Sequence, residues 1–298
     1  MTDRRVERVE DLARRAQAIE VGRRGFGIDD EPSRFLAARL QAVRRSVAAT
    51  WLLTEDGDPV ASLLAYPLTL RRPDGRDVDG VGLGAVATIP EARGRGHAEH
   101  LCRTVVEDAE ASGRPLSILF SAIGTKLYER VGFRTAAGWG HSTTELDALA
   151  HATEPLGLAP IDPRAARADL DALWADWHAG TLHVRRDAAA WTHGLAVNPD
   201  DLWLGVGDPL TGYARVEITD DTLYLSELIL ADRSQEAGAF SSLARYALRW
   251  GCTKFTTWHP PTPGLEGRFE DLGRPKTLPM LRGEADESLL RIWPSDYF

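Results

Sequence analysis

The sequence predicts an α/β protein built as two tandem halves of one plan. Three observations carry that reading. At 298 residues the chain has room for two ordinary domains, each able to bury its own core. An apolar run from Val81 to Ile89, a glycine-bearing loop and a helically spaced segment follow one another, which is the order strand, loop, helix. The same order of segments returns after residue 164: Phe269–Arg274 echoes Tyr128–Phe133, and at the same offset Ser234–Ala239 falls on Arg93–Ala98.

Taken in order, the front unit (residues 1–147) opens with a helical stretch from Val6 to Glu20. A strand over Ser46–Thr54, a turn at Gly57-Asp58, a strand over Val60–Leu70 and a turn at Pro73-Asp74-Gly75 lead into the run ending at Ile89. After the loop, apolar residues at Ala98, Leu101, Cys102, Val105, Val106 and Ala109, with Gly113 just beyond, predict a helix with one buried face and a glycine stop. Leu116–Phe120 predicts another buried strand, a short helix carries Tyr128, and Phe133–Leu146 is expected to close the sheet. A stretch rich in Ala, Pro and Gly over 148–163 reads as a linker. In the second unit (164–298), a helix is expected over Leu170–Ala179 and strands over Asp201–Val206, Gly212–Thr219 and Leu223–Leu230. A helix over Phe240–Trp250 and a strand over Lys254–Trp258 follow.

Composition excludes several classes. Apolar residues make up 43% and charged residues 27%, the mix of a globular chain in water. No apolar run reaches the length of about 20 residues that a membrane span needs, and the first residues lack the apolar segment of a signal peptide. A cytoplasmic protein is expected. Cys102 and Cys252 fall on helical or helix-end positions as small core residues, with neither a disulfide framework nor a metal site implied. A net charge of −9 argues against nucleic acid and anionic membrane as partners and suits a cationic amine.

The loop over 93–98, Arg-Gly-Arg-Gly-His-Ala, carries the chemistry. Gly94 and Gly96 let backbone amides approach an anion, the helix start at His97 and Ala98 adds partial positive charge, and Arg93 and Arg95 add full charges. This is an arrangement for a pyrophosphate. A P-loop would need a Gly-Lys-Ser/Thr ending, and a dinucleotide fingerprint would need three glycines at a different spacing.

The pattern Arg93-x-x-Gly96-x-Ala98 resembles motif A of the GNAT superfamily of acyl-CoA N-acyltransferases. Leu127-Tyr128 followed by Gly132-Phe133 resembles motif B, in the right order and at the right distance. The resemblance implies a mixed, mostly antiparallel twisted sheet flanked by helices in each unit, and acetyl-CoA as co-substrate with no metal. It implies that the loop holds the cofactor's pyrophosphate and that Tyr128 protonates the departing thiolate. A phenol with pKa near 10 stays protonated at neutral pH and suits that role. Backbone amides of Val86, Ala87 and Thr88 would hold the pantetheine arm and the oxyanion. Glu91, His97 and His100 lie near the strand as candidate bases. The loop position of Glu91 and the expected helix-surface positions of the two histidines speak against them.

In the second unit both loop arginines are replaced, by Ser234 and Glu236, and Phe269 lacks a hydroxyl. A carboxylate facing a diphosphate is unfavourable, so this copy is expected to bind no acyl-CoA. An active first copy with a degenerate second resembles the Eis-like (enhanced intracellular survival) acetyltransferases. The segment Phe120-Ser121-Ala122 through Phe133 is similar to theirs and adds Ser121 to the cofactor-binding residues. That family acetylates small-molecule and peptide amines, and it raises a homo-oligomer as an expectation. No counterpart of its third, sterol-carrier-like domain is expected, and the resemblance covers the two halves only. The aromatic tail Arg291–Phe298 is expected to dock in the cleft between the halves, with the Phe298 carboxylate or Asp296 taking the amine proton. Two other readings remain open: a mycothiol-synthase-like tandem enzyme, in which the second copy is active, and a non-catalytic acyl-CoA sensor or scaffold.

Overall fold

Residues 3–41, 47–272 and 277–296 are described by a computed structural model, the side chains of Ala189 and Pro294 excepted. The chain opens on a strand, β1 (Arg4–Val9), where a helix from Val6 was expected. β1 pairs antiparallel with β2 (Ala49–Glu55), from Arg4↔Glu55 to Val9↔Thr50. Pairing of the alternating Arg, Val and Glu residues outcompetes a weak helical period. The helix begins only at Asp11, whose side chain accepts from the Arg14 amide. α1 (Leu12–Phe26) then runs to Gly27, which stops it at φ +66°. α2 (Pro32–Gln41) follows.

The front sheet continues through β3 (Asp58–Arg71), β4 (Asp77–Thr88) and β5 (Leu116–Ser121). Between β4 and β5, α3 (His97–Ala111) buries Leu101, Cys102, Val105, Val106 and Ala109, the positions its spacing predicted. Cys102 is a free core thiol, pushed up to about 12 by burial. α4 (Lys126–Glu129) and β6 (Arg134–Thr135) come next.

From there the chain departs from the expected plan. The strand beside β5 is not β6 but β15 (Leu278–Arg282), paired from Leu278↔Ser121 to Arg282↔Ser117, and β6 pairs outside it. With that edge taken, β7 (His141–Thr143) crosses to the rear sheet and joins β13 (Lys254–Thr257) and β14 (Glu270–Asp271). The front order among the described residues is β1-β2-β3-β4-β5-β15-β6; the rear order is β14-β7-β13-β12-β11-β10-β8. The two halves therefore exchange their closing strands.

The segment read as a linker is built into the rear unit. α5 (Leu146–Ala150) packs on α8 (Glu236–Arg249), tied by Ser241 Oγ to the Leu149 carbonyl at 2.9 Å. β8 (Leu158–Pro160) is an edge strand beside β10 (Leu202–Val206). β11 (Gly212–Thr219) and β12 (Thr222–Leu230) match their predicted runs closely. α6 (Arg167–Trp177) buries Leu170, Trp174 and Trp177. β9 (Leu182–Val184) then reaches back to the front sheet, pairing Leu70↔Val184, and β16 (Leu290–Arg291) runs parallel to it. α7 (Ala188–Val197), unforeseen in the sequence, caps this junction. Pairs are antiparallel except β4–β5, β12–β13 and β9–β16. No helix among the described residues is long and apolar enough to cross a membrane.

The junction concentrates buried imidazoles. Burial pushes His183 down to about 4, and burial joined by the nearby His183 holds His178 well below its ordinary value. The unfolded chain takes up protons below pH of about 6.5, whereas these folded imidazoles resist. Their contribution to stability is present above that pH and is lost as pH falls toward 4. Thermal unfolding should show Tm dropping between pH 7 and pH 5, with a smaller drop in His183→Asn; an equal drop in both would contradict this.

Candidate active site

The site starts from how β4 and β5 pair. Parallel pairing runs from Gly80↔Leu116 to Leu83↔Leu119 and goes no further. A Cβ on Gly80 would sit 2.9 Å from the Leu116 carbonyl oxygen, so the zipped part is as close as backbones come. Beyond it β4 follows β3 while β5 follows β15, and a wedge opens between them. A bulge marks the divergence: Leu64 opposes Gly84 and Ser62 opposes Ala87, leaving Leu63 against both Ala85 and Val86. Ala85 takes φ +50°, a strained value for a residue with a Cβ.

Strand alternation sorts the three amides expected to face a ligand. The Ile89 amide donates to the Val60 carbonyl at 3.0 Å, and Ala87 opposes Ser62. Alternate residues of an antiparallel ladder bond the same neighbour, which turns the Ala87 amide toward β3 and the Thr88 amide toward the wedge. The end of α1 forms the adjacent wall. A Cβ on Gly25 would meet the Ala87 Cβ at 2.8 Å and the Thr88 nitrogen at 3.2 Å.

One turn over Pro90–Ala92 leads into the loop. Gly94 and Gly96 adopt φ +78° and +79°, and a Cβ on either would point into open space. Gly96 caps α3 without a side-chain hydrogen bond. The first amides of α3 thus have no acceptor within the helix and face outward at its positive end. These features fit a pyrophosphate.

The charges are arranged differently from the sequence expectation. Arg93 Nη2 donates to the Gly25 carbonyl at 2.6 Å and its Nε to the Thr88 carbonyl at 3.3 Å, so this arginine fastens α1 to β4. Arg95 Nη1 lies 3.1 Å from Glu55 Oε2, and Glu55 also accepts from Arg4 Nε at 3.1 Å. Burial would raise the Glu55 carboxyl, but Arg4 and Arg95 hold it below its usual value. Glu55, Arg4 and Gly25 were missed because nothing local in the sequence marks them as neighbours of the loop. His97, expected on the helix surface, is 1% exposed, its Nε2 3.5 Å from Glu55. The first turn of α3 leans on β2, and burial lowers the His97 pKa despite Glu55. Ala98 is half-buried behind it, and His100 and Glu91 are exposed.

Tyr128 sits on α4, 5% exposed, with its ring edge-on to Phe133 at 6.2 Å. Gly132 at φ +92° folds the chain back so that the Phe133 amide reaches the Tyr128 carbonyl. Ser121 Oγ donates to the Gly124 carbonyl at 2.5 Å and shapes the turn into α4. Of the tail, Asp296 has both oxygens engaged, by Arg186 at 2.8 Å and the Trp293 amide at 3.0 Å. Phe298 lies outside the described residues. No group of three His, Cys, Asp or Glu placed to hold a metal ion occurs among the described residues.

The rear unit repeats the divergence with a different outcome. β12 and β13 pair from Thr222↔Lys254 to Leu225↔Thr257 and then part. On the diverging stretch Glu227 is fully buried, bonded by Arg186 at 2.9 Å and by the Tyr213 hydroxyl at 2.9 Å. The loop is replaced by a turn over Arg233–Gln235 that runs straight into α8. Gly238 lies inside that helix, where a Cβ would strike the Glu154 carbonyl at 2.9 Å. Glu236 is held by His259 at 3.3 Å, and Trp177 and Trp293 pack around that imidazole. Phe269, the sequence echo of Tyr128, packs on Phe240 and Phe255.

Residues 10–136 match the family model for the acetyltransferase (GNAT) domain. No curated protein matches the chain. Among solved structures, a GCN5-related N-acetyltransferase from Anabaena variabilis superposes with a TM-score of 0.73 at 18% identity, over 94% of this chain and 72% of the other. A probable N-acyltransferase from Enterococcus faecalis gives 0.72 at 16%, covering 95% and 73%. Eis1 from Mycobacterium abscessus gives 0.62 at 18%, again covering 95% and 73%. At such identities the likeness is one of fold, and it spans both halves. Residues 10–136 thus carry the match to a GNAT acetyltransferase domain, and the chain as a whole shares the fold of these solved structures.

Proposed function

We propose that the protein moves an acetyl group from acetyl-CoA to a primary amine of a small molecule or peptide by direct attack. The observation that carries this reading is the front wedge. It has an outward amide at Thr88, two left-handed glycines over open space and an uncapped helix start, whereas the rear counterpart is filled by its own side chains. In the reaction the neutral amine attacks the thioester carbonyl. The carbonyl oxygen becomes an oxyanion held by amides of the wedge, foremost Thr88. The carbon–sulfur bond then breaks, and the thiolate takes the Tyr128 hydroxyl proton. The amine's surplus proton passes to the Phe298 carboxylate, to Asp296 or to water.

The filled rear cleft and a family match confined to residues 10–136 speak against a mycothiol-synthase-like reading with an active second copy. A non-catalytic acyl-CoA sensor predicts cofactor binding without release of free thiol from any of a panel of amines, and that assay separates it from the enzyme.

Tyr128→Phe should lower kcat about 100-fold or more with acetyl-CoA affinity unchanged; parallel loss of affinity and Tm would mark the tyrosine as packing only. Gly96→Val forces a β-branched residue to φ +79° and should weaken acetyl-CoA binding at least about tenfold while the fold persists. Retained affinity in calorimetry would remove the loop from the cofactor site. Deleting Tyr297 and Phe298 should lower kcat without changing cofactor affinity, and an unchanged kcat would take the Phe298 carboxylate out of the mechanism.

A further inference from the structure

Packing does not hold the loop over 93–96. A Cβ added to Gly94 or Gly96 would meet nothing within 4 Å, and glycine leaves a chain more conformers than any other residue. An amide cradle binds a diphosphate well only if its N–H groups are in place beforehand, because ordering a loose loop on binding subtracts from affinity. Arg93 fastens the upstream end to α1 and β4. The downstream end needs a second anchor.

Arg4 and Glu55 stand directly opposite each other in the β1–β2 ladder, so their side chains leave the sheet on one face. Arg4 Nε donates to Glu55 Oε1 at 3.1 Å, and its Nη2 donates to the Arg95 carbonyl in the loop at 3.3 Å. Glu55 Oε2 accepts from Arg95 Nη1 at 3.1 Å and lies 3.5 Å from His97 Nε2. One carboxylate thus gathers groups from residues 4, 95 and 97, on both sides of Gly96. An isolated ion pair at a surface contributes little, but this side chain is only 10% exposed and has three nitrogen-bearing neighbours.

Charge alone does not account for a glutamate at this place. A carboxylate beside an anion site repels the ligand. The charged groups acting on Glu55 are Arg4, Arg95 and His97. Burial keeps His97 below its ordinary value, with Arg4, Arg95 and His100 adding to the effect. At neutral pH the cluster therefore sets two guanidiniums against one carboxylate. Glu55 lowers the attraction of the loop for an anion, and what it supplies instead is geometry.

We propose that Glu55 is a positioning residue for the cofactor: together with its cross-strand partner Arg4 it brackets the downstream end of the loop and sets the loop amides for a diphosphate. The inference rests on the reading of this loop as the diphosphate cradle.

Acetyl-CoA affinity is measured by calorimetry on the full chain, unaltered and as Glu55→Ala, Arg4→Ala and the double variant. Either single change should raise Kd about tenfold or more. The double variant should be no weaker than the weaker single one, because the two side chains act as one unit. In turnover, Glu55→Ala should raise KM for acetyl-CoA by the same factor and leave kcat within about twofold. S-acetylpantetheine, which lacks the diphosphate, should serve Glu55→Ala and the unaltered protein equally. A loss with both thioesters would make Glu55 a structural residue only and overturn the proposal. If Glu55→Ala does not fold, Arg4→Ala decides by the same measurements. Unchanged or tighter acetyl-CoA binding in the variants, or losses that add in the double variant, would also overturn it. An unaltered protein that does not bind acetyl-CoA would overturn the functional reading, and this inference with it.

Discussion

Parallel pairing between β4 and β5 lasts from Gly80 to Leu83 and then ends, and the front site follows from that ending. If the ladder continued, the Thr88 amide would be consumed by β5 and no ligand could lie between the strands. Two features hold the wedge open. The bulge at Ala85 and Val86 swings the end of β4 toward β3, and β15 gives β5 another partner on its far side. Gly25 then brings α1 against the diverging strand, where Arg93 bonds both backbones. The arginine that reads as a phosphate ligand in the sequence is thus a fastener of the wall.

The rear unit shows that backbone divergence alone does not leave an open cleft. β12 and β13 part after a stretch of the same length, yet the space goes to a buried ionic cluster and an aromatic group. Buried charges are tolerated only when paired, and Glu227 has two arginines and a tyrosine around it. With the loop glycines gone and Glu236 at the start of α8, neither amides nor charge favour a diphosphate. The same fold thus leaves an open wedge in one half and a closed core in the other.

Local signals in the sequence were sound where local physics decides. The apolar spacing of α3, the strand before it and the glycine-rich loop stand where they were expected, because burial of one helix face and left-handed glycines leave marks within a few residues. The closing strands were not legible. Which of β6, β7 and β15 lies beside β5 depends on pairings more than 100 residues apart in sequence, between segments of two to five residues. Val6–Val9 reads as the start of a helix until β2 is there to pair with it. Gly25 lies 68 residues from Arg93 and Glu55 lies 40 from Arg95, with His97 sharing Glu55, which is why the two arginines read as free charges and the histidine as a surface residue.

Amide hydrogen exchange with and without coenzyme A tests the account most directly. Saturating ligand should protect residues 84–98 and leave 226–239 unchanged. Protection over 226–239, or none over 84–98, would contradict it.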